Sequence, residues 1–245
     1  MTKHCDRHNI DFEASELGFM GVESSCPKCA EEAEEEFAAS EAERKARAEI
    51  EASEARYAGM GIKPAYFGVT LDNFEANTPE LQKGLSAIRD LIDGKIYSVI
   101  LTGGCGTGKT HLACAAVEIL GGRIVKMFAI SEMIRASYVD HSRGTSLDIM
   151  NELASVPLLA IDEVGRTKGS DAEMQWLSYI IDERYSSKLP TILISNRLMK
   201  SRCAKGDEDK CFENFVGEDV LSRLRESCRV IMFTGKDYRE MGDKH

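Results

Sequence analysis

The sequence contains no uninterrupted apolar stretch that approaches the roughly 20 residues a helix needs to span a bilayer. Its first eight residues, MTKHCDRH, are polar, so the apolar core of a secretory signal peptide is missing as well. These two absences exclude a membrane-spanning or exported protein as an interpretation of the sequence. We therefore expect a cytoplasmic protein.

An excess of basic charge is also missing, since 31 Lys and Arg residues stand against 41 Asp and Glu residues, for a net charge of −10. Residues 1–60 carry 15 acidic and 7 basic side chains, which leaves the rest of the chain nearly neutral. This acidic balance argues against tight nonspecific DNA binding by the whole surface. It leaves open a local basic groove inside an oligomer.

Length and composition indicate one α/β domain with a small appendage, because 245 residues are too few for two large domains. Composition divides the chain into three regions. Residues 1–30 hold paired metal-ligand residues but are too short for a hydrophobic core of their own. Residues 31–58 are rich in Ala and Glu, which predicts an exposed acidic linker helix, and residues 59–245 form the main domain.

Short β-branched runs alternate with helical stretches from Tyr66 onward, which is typical of a parallel sheet covered by helices. The predicted strands lie near 97–102, 123–128, 157–162, 190–195 and 229–233. The predicted helices lie near 80–93, 109–120, 131–140, 146–155, 171–187 and 217–226. The polar segment 199–217 is predicted to be a surface loop, and a DNA contact through its four basic residues is an alternative role for it.

A phosphate-binding loop is the strongest motif of the main domain. Residues 103–110, GGCGTGKT, match G-x-x-x-x-G-K-[ST] between a predicted strand and a predicted helix. Glycines let backbone N–H groups converge on a triphosphate, and the helix N-terminus adds partial positive charge. Lys109 is expected to reach the β- and γ-phosphates of ATP, and Thr110 to ligate Mg²⁺. The residues expected to bind the nucleotide here are Gly103, Gly104, Cys105, Gly106, Thr107, Gly108, Lys109, Thr110 and His111.

Polar residues end two further apolar strands. Asp162 and Glu163 follow LLAI, where Asp162 fits the Mg²⁺ shell and Glu163 fits the residue that orients or deprotonates the attacking water. Asn196 follows PTILIS and is expected to help position that water if its strand neighbours the first one. A helix N-cap for the acidic pair and a turn residue for Asn196 are the structural alternatives.

Cysteines are paired with other metal ligands at the amino terminus. In a reducing compartment, the eight cysteines are expected to be free thiols or metal ligands rather than to form disulfides. Cys5-x-x-His8 and Cys26-x-x-Cys29 supply four ligands, which suits tetrahedral structural Zn²⁺. His4 is a possible substitute for His8, although its adjacency to Cys5 makes simultaneous ligation awkward.

The segments GGCGTGKTHLA, LLAIDEVG, IIDERYSSKLPTILISN, VLSRLRES and KDYR occur in this order. Together they resemble the DnaC/IstB-like AAA+ ATPases, which are bacterial and phage replicative helicase loaders and their transposition relatives. The resemblance covers about residues 60–240. It implies a three-layer αβα sandwich with a five-stranded parallel sheet, and a homo-oligomer that holds ATP between neighbouring subunits.

The resemblance also assigns roles to two arginines. Arg223 looks like the arginine finger that reaches a neighbour's γ-phosphate, with Arg225 the less favoured candidate, and Arg239 looks like a second sensor arginine that contacts ATP. The predicted helices within 131–155 resemble an insertion that contacts single-stranded DNA, although only Arg135 and Arg143 are basic there. Cys105 departs from the family pattern, in which Pro is common.

Three functions follow as hypotheses. In the first, the protein loads a hexameric replicative helicase onto single-stranded DNA, with the zinc module and the acidic helix binding the helicase, as in some loaders. In the second, it is an IstB-like transposition helper that binds duplex DNA. In the third, it is a nucleotide-gated adaptor that seldom hydrolyses ATP. The chain ends six residues after Arg239, which disfavours a helical lid and a helix-turn-helix for duplex recognition.

Overall fold

The structure is a computed structural model that describes residues 2–13, 16–17, 22–23, 26–140, 142, 144–166, 170–206, 211–235 and 237–238. The chain divides into two compact units, Met1–Arg56 and Tyr57–His245. Arg143 and Arg239, which the sequence analysis singled out, lie outside the described residues.

The first unit contains two short antiparallel hairpins and most of one long helix. Strands β1 (Thr2–Cys5) and β2 (Ile10–Glu13) pair with each other, as do β3 (Glu16–Leu17) and β4 (Val22–Glu23). Helix α1 (Pro27–Gly59) starts one residue after Cys26, so Cys29 lies in its first turn. Its side chains are mostly exposed because Ala and charged residues leave almost no apolar stripe.

The second unit is built on a five-stranded, all-parallel sheet, as the apolar runs predict. Its strands are β5 (Ser98–Gly103), β6 (Arg123–Lys126), β7 (Leu159–Asp162), β8 (Thr191–Ser195) and β9 (Cys228–Phe233), in the order β6-β7-β8-β5-β9. Strand β5 is therefore an interior strand, between β8 and the edge strand β9. The ends of β5, β7 and β8, where the motifs lie, meet at one edge of the sheet.

Helices cover both faces of the sheet. They are α2 (Pro79–Ile92), α3 (Lys109–Leu120), α4 (Met127–Ser137), α5 (Ser146–Ser155), α6 (Asp171–Ser186) and α7 (Phe212–Arg225), with 3₁₀ turns at Pro64–Tyr66 and Lys200–Arg202. Alternation along β5 explains the layers: Val99 and Leu101 pack in a core with α2 and α3, and Ile100 in a core with α4 to α7. The result is the predicted three-layer αβα sandwich.

Several element bounds differ from the predictions. Helix α4 begins directly after β6, at Met127 rather than near 131. Helix α7 begins at Phe212, so the predicted loop 199–217 ends earlier, and non-helical backbone at Gly217 (φ 80°) kinks the helix. Phe212, Phe215 and Val216 are buried, and this apolar side stabilises a helical turn inside an otherwise polar segment.

The expectation that all cysteines are thiols or metal ligands is wrong for one pair. Cys203 and Cys211 form a disulfide, with their Cα atoms 6.2 Å apart. The backbone N–H of Phe212 donates to Leu198 O (2.9 Å), so the chain returns on itself and brings the two residues together. Cys114 and Cys228 are thiols, and burial raises the pKa of each to about 12.

Candidate functional site

The phosphate loop joins the carboxyl end of β5 to the amino end of α3. Gly103, Gly106 and Gly108 have φ values of 122°, 63° and 89°, which L side chains rarely adopt. A Cβ atom at Gly103 would lie 2.0 Å from Phe233 O, and one at Gly106 would lie 1.5 Å from Asp237 Oδ1. Backbone conformation therefore favours glycine at all three positions, and at Gly103 a Cβ atom would also collide with a backbone oxygen.

Lys109 is almost completely buried, at 5% relative exposure, in the first turn of α3. Its Nζ donates to Gly103 O (2.9 Å), to Gly104 O and to Thr107 Oγ1 (3.3 Å). The ammonium group is thus centred in the loop, where it would neutralise the charge of a bound anion.

Thr110 and Asp162 are 52 residues apart in sequence and meet at the same edge of the sheet. Thr110 Oγ1 donates to Asp162 Oδ2 (3.1 Å), and Asp162 Oδ1 accepts from Glu163 N (2.7 Å). Burial raises the pKa of Asp162 above its usual value. A hydroxyl and a half-buried carboxylate at hydrogen-bond distance form a donor set suited to Mg²⁺.

Glu163 follows β7 with a positive φ of 58°, which a non-glycine residue seldom adopts and which is concentrated at functional sites. Its Oε1 lies 3.0 Å from Lys126 Nζ and 2.6 Å from Arg166. Neither Lys126 nor Arg166 was predicted from the sequence to be a site residue. The only sequence signal for Lys126 is its place at the end of β6, whose register pairs it with Asp162.

Asn196 follows β8, which pairs directly with β5, so the condition set for its prediction is met. Its Nδ2 lies 3.5 Å from Cys105 Sγ, in the phosphate loop. The structure therefore brings Asn196 to the same edge as Lys109, Thr110, Asp162 and Glu163.

Two further segments contact the phosphate loop. His111 Nε2 lies 3.1 Å from Thr70 O, and its ring makes an edge contact with Phe74, 5.2 Å between ring centroids. From the carboxyl-terminal side, Tyr238 N donates to Gly106 O (3.0 Å) and Tyr238 Oη donates to Asn77 (2.8 Å). The residue immediately before Arg239 therefore lies on the loop.

Arg223 lies at the opposite edge of the sheet. Near the end of α7, it lines a cavity of about 310 Å³ together with Tyr97 and Ser98, which precede and begin β5. Its guanidinium pairs with Asp182 and donates to Asp219 O (3.0 Å). The phosphate loop follows the other end of β5, about 16 Å away for a strand of this length. The structure does not bring Arg223 to its own phosphate loop.

The amino-terminal cysteines form a second site. The ligand atoms of Cys5, His8, Cys26 and Cys29 all lie within 4.8 Å of one another. His8 Nδ1 lies 3.4 Å from the sulfur of Cys29 and 3.7 Å from those of Cys5 and Cys26. A zinc tetrahedron with Zn–S near 2.3 Å has edges of about 3.8 Å between sulfurs and about 3.6 Å from sulfur to nitrogen.

His4 lies outside this cluster, since its Nδ1 contacts Asp11 Oδ1 at 2.6 Å on an exposed face of the hairpin. Partial burial raises the pKa of the Cys29 thiol to about 11, and the sulfurs of Cys5 and Cys26 add to the shift. Crowded thiolates of this kind need a cation to hold them charged. The four residues therefore fit a structural metal ion.

The fold and the phosphate site define a P-loop nucleotide-binding protein of the AAA+ type. A model of the IstB-like ATP binding protein family matches residues 43–244, and the chain belongs to that family. The replicative helicase loader DnaC of Escherichia coli K12 is 30% identical, over 73% of this chain and 72% of DnaC.

None of the helices in the described part of the chain has the length and hydropathy that crossing a bilayer requires.

Solved structures share the fold. A crystal structure of the DnaC helicase loader has a TM-score of 0.55 at 23% identity, covering 70% of this chain and 100% of that one. The replication initiator DnaA bound to AMPPCP and single-stranded DNA has a TM-score of 0.54 at 22% identity, covering 71% of this chain and 51% of that one. These similarities support the AAA+ architecture.

Proposed function

We propose that this protein is an ATP-dependent replicative helicase loader, which binds a hexameric DNA helicase and delivers it onto single-stranded DNA during replication. The observation that carries the proposal is the 30% identity to a replicative helicase loader across nearly three quarters of both chains. The phosphate site supports it because Lys109, Thr110, Asp162, Glu163 and Asn196 lie at one edge of the sheet.

The proposed chemistry is Mg²⁺-dependent ATP hydrolysis. Lys109 contacts the β- and γ-phosphates, and the backbone N–H groups of the loop and of His111 surround the triphosphate. Thr110 and Asp162 hold Mg²⁺, which supplies charge neutralisation during phosphoryl transfer. The hydrogen bond between Thr110 and Asp162 supports this assignment, because it places the two ligands side by side.

Glu163 orients or deprotonates the attacking water, and Asn196 positions that water from the neighbouring strand. The contact between Asn196 and Cys105 supports the second role, since it shows that the amide reaches the phosphate loop. Glu163 must release Lys126 and Arg166 to act as a base, because both cations hold its carboxylate.

Two arginines complete the proposed site. Arg223 acts on ATP bound to a neighbouring subunit, because it lies far from the phosphate loop of its own chain. This makes the working form a homo-oligomer with nucleotide at the subunit interfaces. Arg239 contacts ATP from the carboxyl-terminal side, a role supported by the contact of Tyr238 with Gly106.

The proposed amino-terminal module, residues 1–30, binds Zn²⁺ through Cys5, His8, Cys26 and Cys29. With residues 31–58 it engages the helicase, while residues 59–245 form the ATPase domain. Zinc supplies the stabilisation that a segment with so few apolar residues cannot draw from a core. The match between the ligand separations and a zinc tetrahedron supports this assignment.

Helices α4 and α5 are the proposed contact with single-stranded DNA. Phe128 and Arg135 lie seven residues apart on one side of α4, and Tyr138 is the C-cap residue three positions further on. The side chains of Phe128 and Tyr138 are both more than half exposed. Exposed aromatic rings beside a cation suit stacking against unpaired bases. Without DNA, the guanidinium of Arg135 forms an ion pair with Glu132 Oε1 at a distance of 2.9 Å.

The test is a loading assay with the replicative hexamer of the same organism. Circular single-stranded DNA coated with single-strand-binding protein carries an annealed oligonucleotide, whose release reports a loaded helicase. We expect release to require this protein and ATP, to fail with Lys109→Ala, and to weaken when Cys26 and Cys29 are both replaced by Ser. Absence of a complex with the helicase would overturn the proposal.

The resemblance to transposition relatives leaves one second candidate, an IstB-like helper ATPase that binds duplex DNA, and the match to the IstB-like ATP binding protein family is compatible with it. The acidic N-terminal region argues against it, because a DNA-coating protein gains affinity from basic contacts to phosphates. Electron microscopy with duplex DNA and ATP distinguishes the two. Filaments on duplex that form without any helicase would favour the transposition role.

A further inference from the structure

Glu32 lies on α1, one turn beyond Cys29, and its carboxylate reaches the imidazole of His8. The distance from Glu32 Oε1 to His8 Nε2 is 2.8 Å. Residues three apart lie on the same side of a helix, so the turn of α1 that supplies Cys29 also presents Glu32. The His8 side chain is only 13% exposed, so its imidazole ring is largely shielded from water.

This contact decides which nitrogen of His8 faces the sulfurs. Nδ1 lies 3.4 to 3.7 Å from the sulfurs of Cys5, Cys26 and Cys29, while Nε2 points to the carboxylate. A neutral imidazole carries one N–H group. When Nε2–H donates to Glu32, the lone pair of Nδ1 is directed at the centre of the cluster.

Arg7 forms an ion pair with the carboxylate from the other side, without the geometry of a hydrogen bond. Its guanidinium lies 2.9 Å from Glu32 Oε2, and it belongs to the turn between Cys5 and His8. Glu32, which is not itself one of the four metal ligands, therefore links the two ligand pairs. It joins α1, which carries Cys29, to the turn between Cys5 and His8.

We propose that Glu32 is a positioning residue of the amino-terminal metal site, which holds the His8 ring in the tautomer and orientation that bind Zn²⁺ through Nδ1. The inference rests on the proposed zinc site and extends it. Outer-shell carboxylates of this kind change metal affinity by about 10- to 100-fold when they are removed.

The experiment measures the Zn²⁺ affinity of the full-length protein by competition with a chromogenic chelator. Glu32→Ala should lower the affinity about 10- to 100-fold. Glu32→Gln should fall between Ala and wild type, because an amide oxygen still accepts from Nε2–H but carries no charge. Glu31→Gln is the matched control, since Glu31 is exposed at the adjacent position of the same helix turn, and its affinity should equal that of wild type.

A double-mutant cycle separates positioning of His8 from a general effect on the module. His8→Cys retains four ligands but removes the imidazole. In that background Glu32→Ala should cause no loss of zinc affinity. An equal loss in both backgrounds would overturn the inference, because it would show that Glu32 acts without His8.

Co²⁺ substitution provides a second readout, since its visible spectrum reports the ligand set. Glu32→Ala should keep the spectrum of three sulfurs and one nitrogen at saturating metal. If Glu32→Ala bound zinc with the affinity of the wild-type protein, the proposed role of Glu32 would be refuted, but the metal site itself would not. Failure of the wild-type protein to bind zinc would refute the metal site itself, and would leave the nucleotide chemistry unaffected.

Discussion

Asp162 is a carboxylate that the fold holds at an energetic cost. Burial raises its pKa, and this unfavourable effect exceeds the favourable hydrogen bonds from Glu163 N and Thr110. A cation between Asp162 and Thr110 would reverse the balance by favouring the charged form. The residue is therefore suited to binding a metal and poorly suited to stabilising the protein without one.

The first prediction concerns Asp162→Asn. The amide can still accept from Glu163 N and donate to Thr110 Oγ1, so the melting temperature without nucleotide should equal or exceed that of wild type. Mg²⁺-dependent ATP hydrolysis should fall at least a hundredfold, because one of two protein ligands for the metal loses its charge. Differential scanning fluorimetry and phosphate release measure the two effects.

The control for this prediction is Asp72→Asn at an exposed loop position, which should leave both quantities unchanged. The pH dependence gives a further check. Because the folded pKa of Asp162 lies above the unfolded value near 4, its contribution to stability is present at low pH and is lost as pH rises through the folded pKa. Asp162→Asn should lack that loss, and a stronger decline with pH in the variant would contradict the argument.

Part of the phosphate site could be predicted from the sequence, because each motif follows an apolar run that ends at a strand terminus. Lys109, Thr110 and Asp162 meet for that reason. Lys126 and Arg166 could not be found in this way. Their contacts with Glu163 depend on β6 lying beside β7 and on the positive φ of Glu163, and neither feature has a local sequence pattern.

At the scale of elements, Arg184 holds several chain segments together. It is 1% exposed and donates to Leu153 O, Ala154 O, Val156 O and Pro190 O at 2.6 to 3.2 Å, and to Thr191 Oγ1 at 3.0 Å. Burial lowers its pKa to about 10, so it is charged at neutral pH. One side chain of α6 thereby satisfies the end of α5 and the start of β8.

The second prediction is that Arg184→Lys lowers the free energy of unfolding by about 3 kcal/mol. The three N–H donors of lysine all lie on a single nitrogen atom, so they cannot reach acceptors that are arranged around a planar guanidinium. Buried carbonyl groups would therefore lose their hydrogen-bond partners. Urea unfolding measures the change. Arg225→Lys is the control, because Arg225 is exposed on α7 and its substitution should cost less than about 0.5 kcal/mol. Equal effects would show that burial of the guanidinium is not the cause.

The positions of the five strands were predictable because each strand coincides with a nearly continuous run of apolar residues. Helix α7 shows the limit. Its first turn lies in a polar stretch with Asp, Glu and Lys, and only the burial of Phe212, Phe215 and Val216 makes it helical. That burial requires the chain to return to Leu198, a tertiary contact that local composition does not encode.

At the scale of the whole molecule, the sheet separates the two halves of the proposed catalytic machinery. Strand β5 has the phosphate loop at its carboxyl end, and β9 begins beside its amino end, three residues after α7. Within one chain, Glu163 therefore lies at the carboxyl ends of the strands and Arg223 lies near the amino ends. A head-to-tail contact between copies would bring one subunit's Arg223 to another's phosphate loop.

The third prediction is a complementation between two inactive variants. Arg223→Ala and Glu163→Gln should each hydrolyse ATP at a small fraction of the wild-type rate. Mixed in equal amounts, they form some interfaces in which an intact Glu163 faces an intact Arg223 of the neighbour. Random assembly makes about one interface in four of this kind, so phosphate release should recover to about a quarter of the wild-type rate.

Action within one chain makes the opposite prediction, since no subunit in the mixture carries both intact residues. A mixture as inactive as its components would therefore exclude the arrangement between subunits. Arg225→Ala supplies the control, because Arg225 lies two residues further on and is exposed. Alone it should retain most of its activity if Arg223 is the finger. If the roles of the two arginines are reversed, Arg225→Ala should be the variant that loses activity and regains it on mixing with Glu163→Gln.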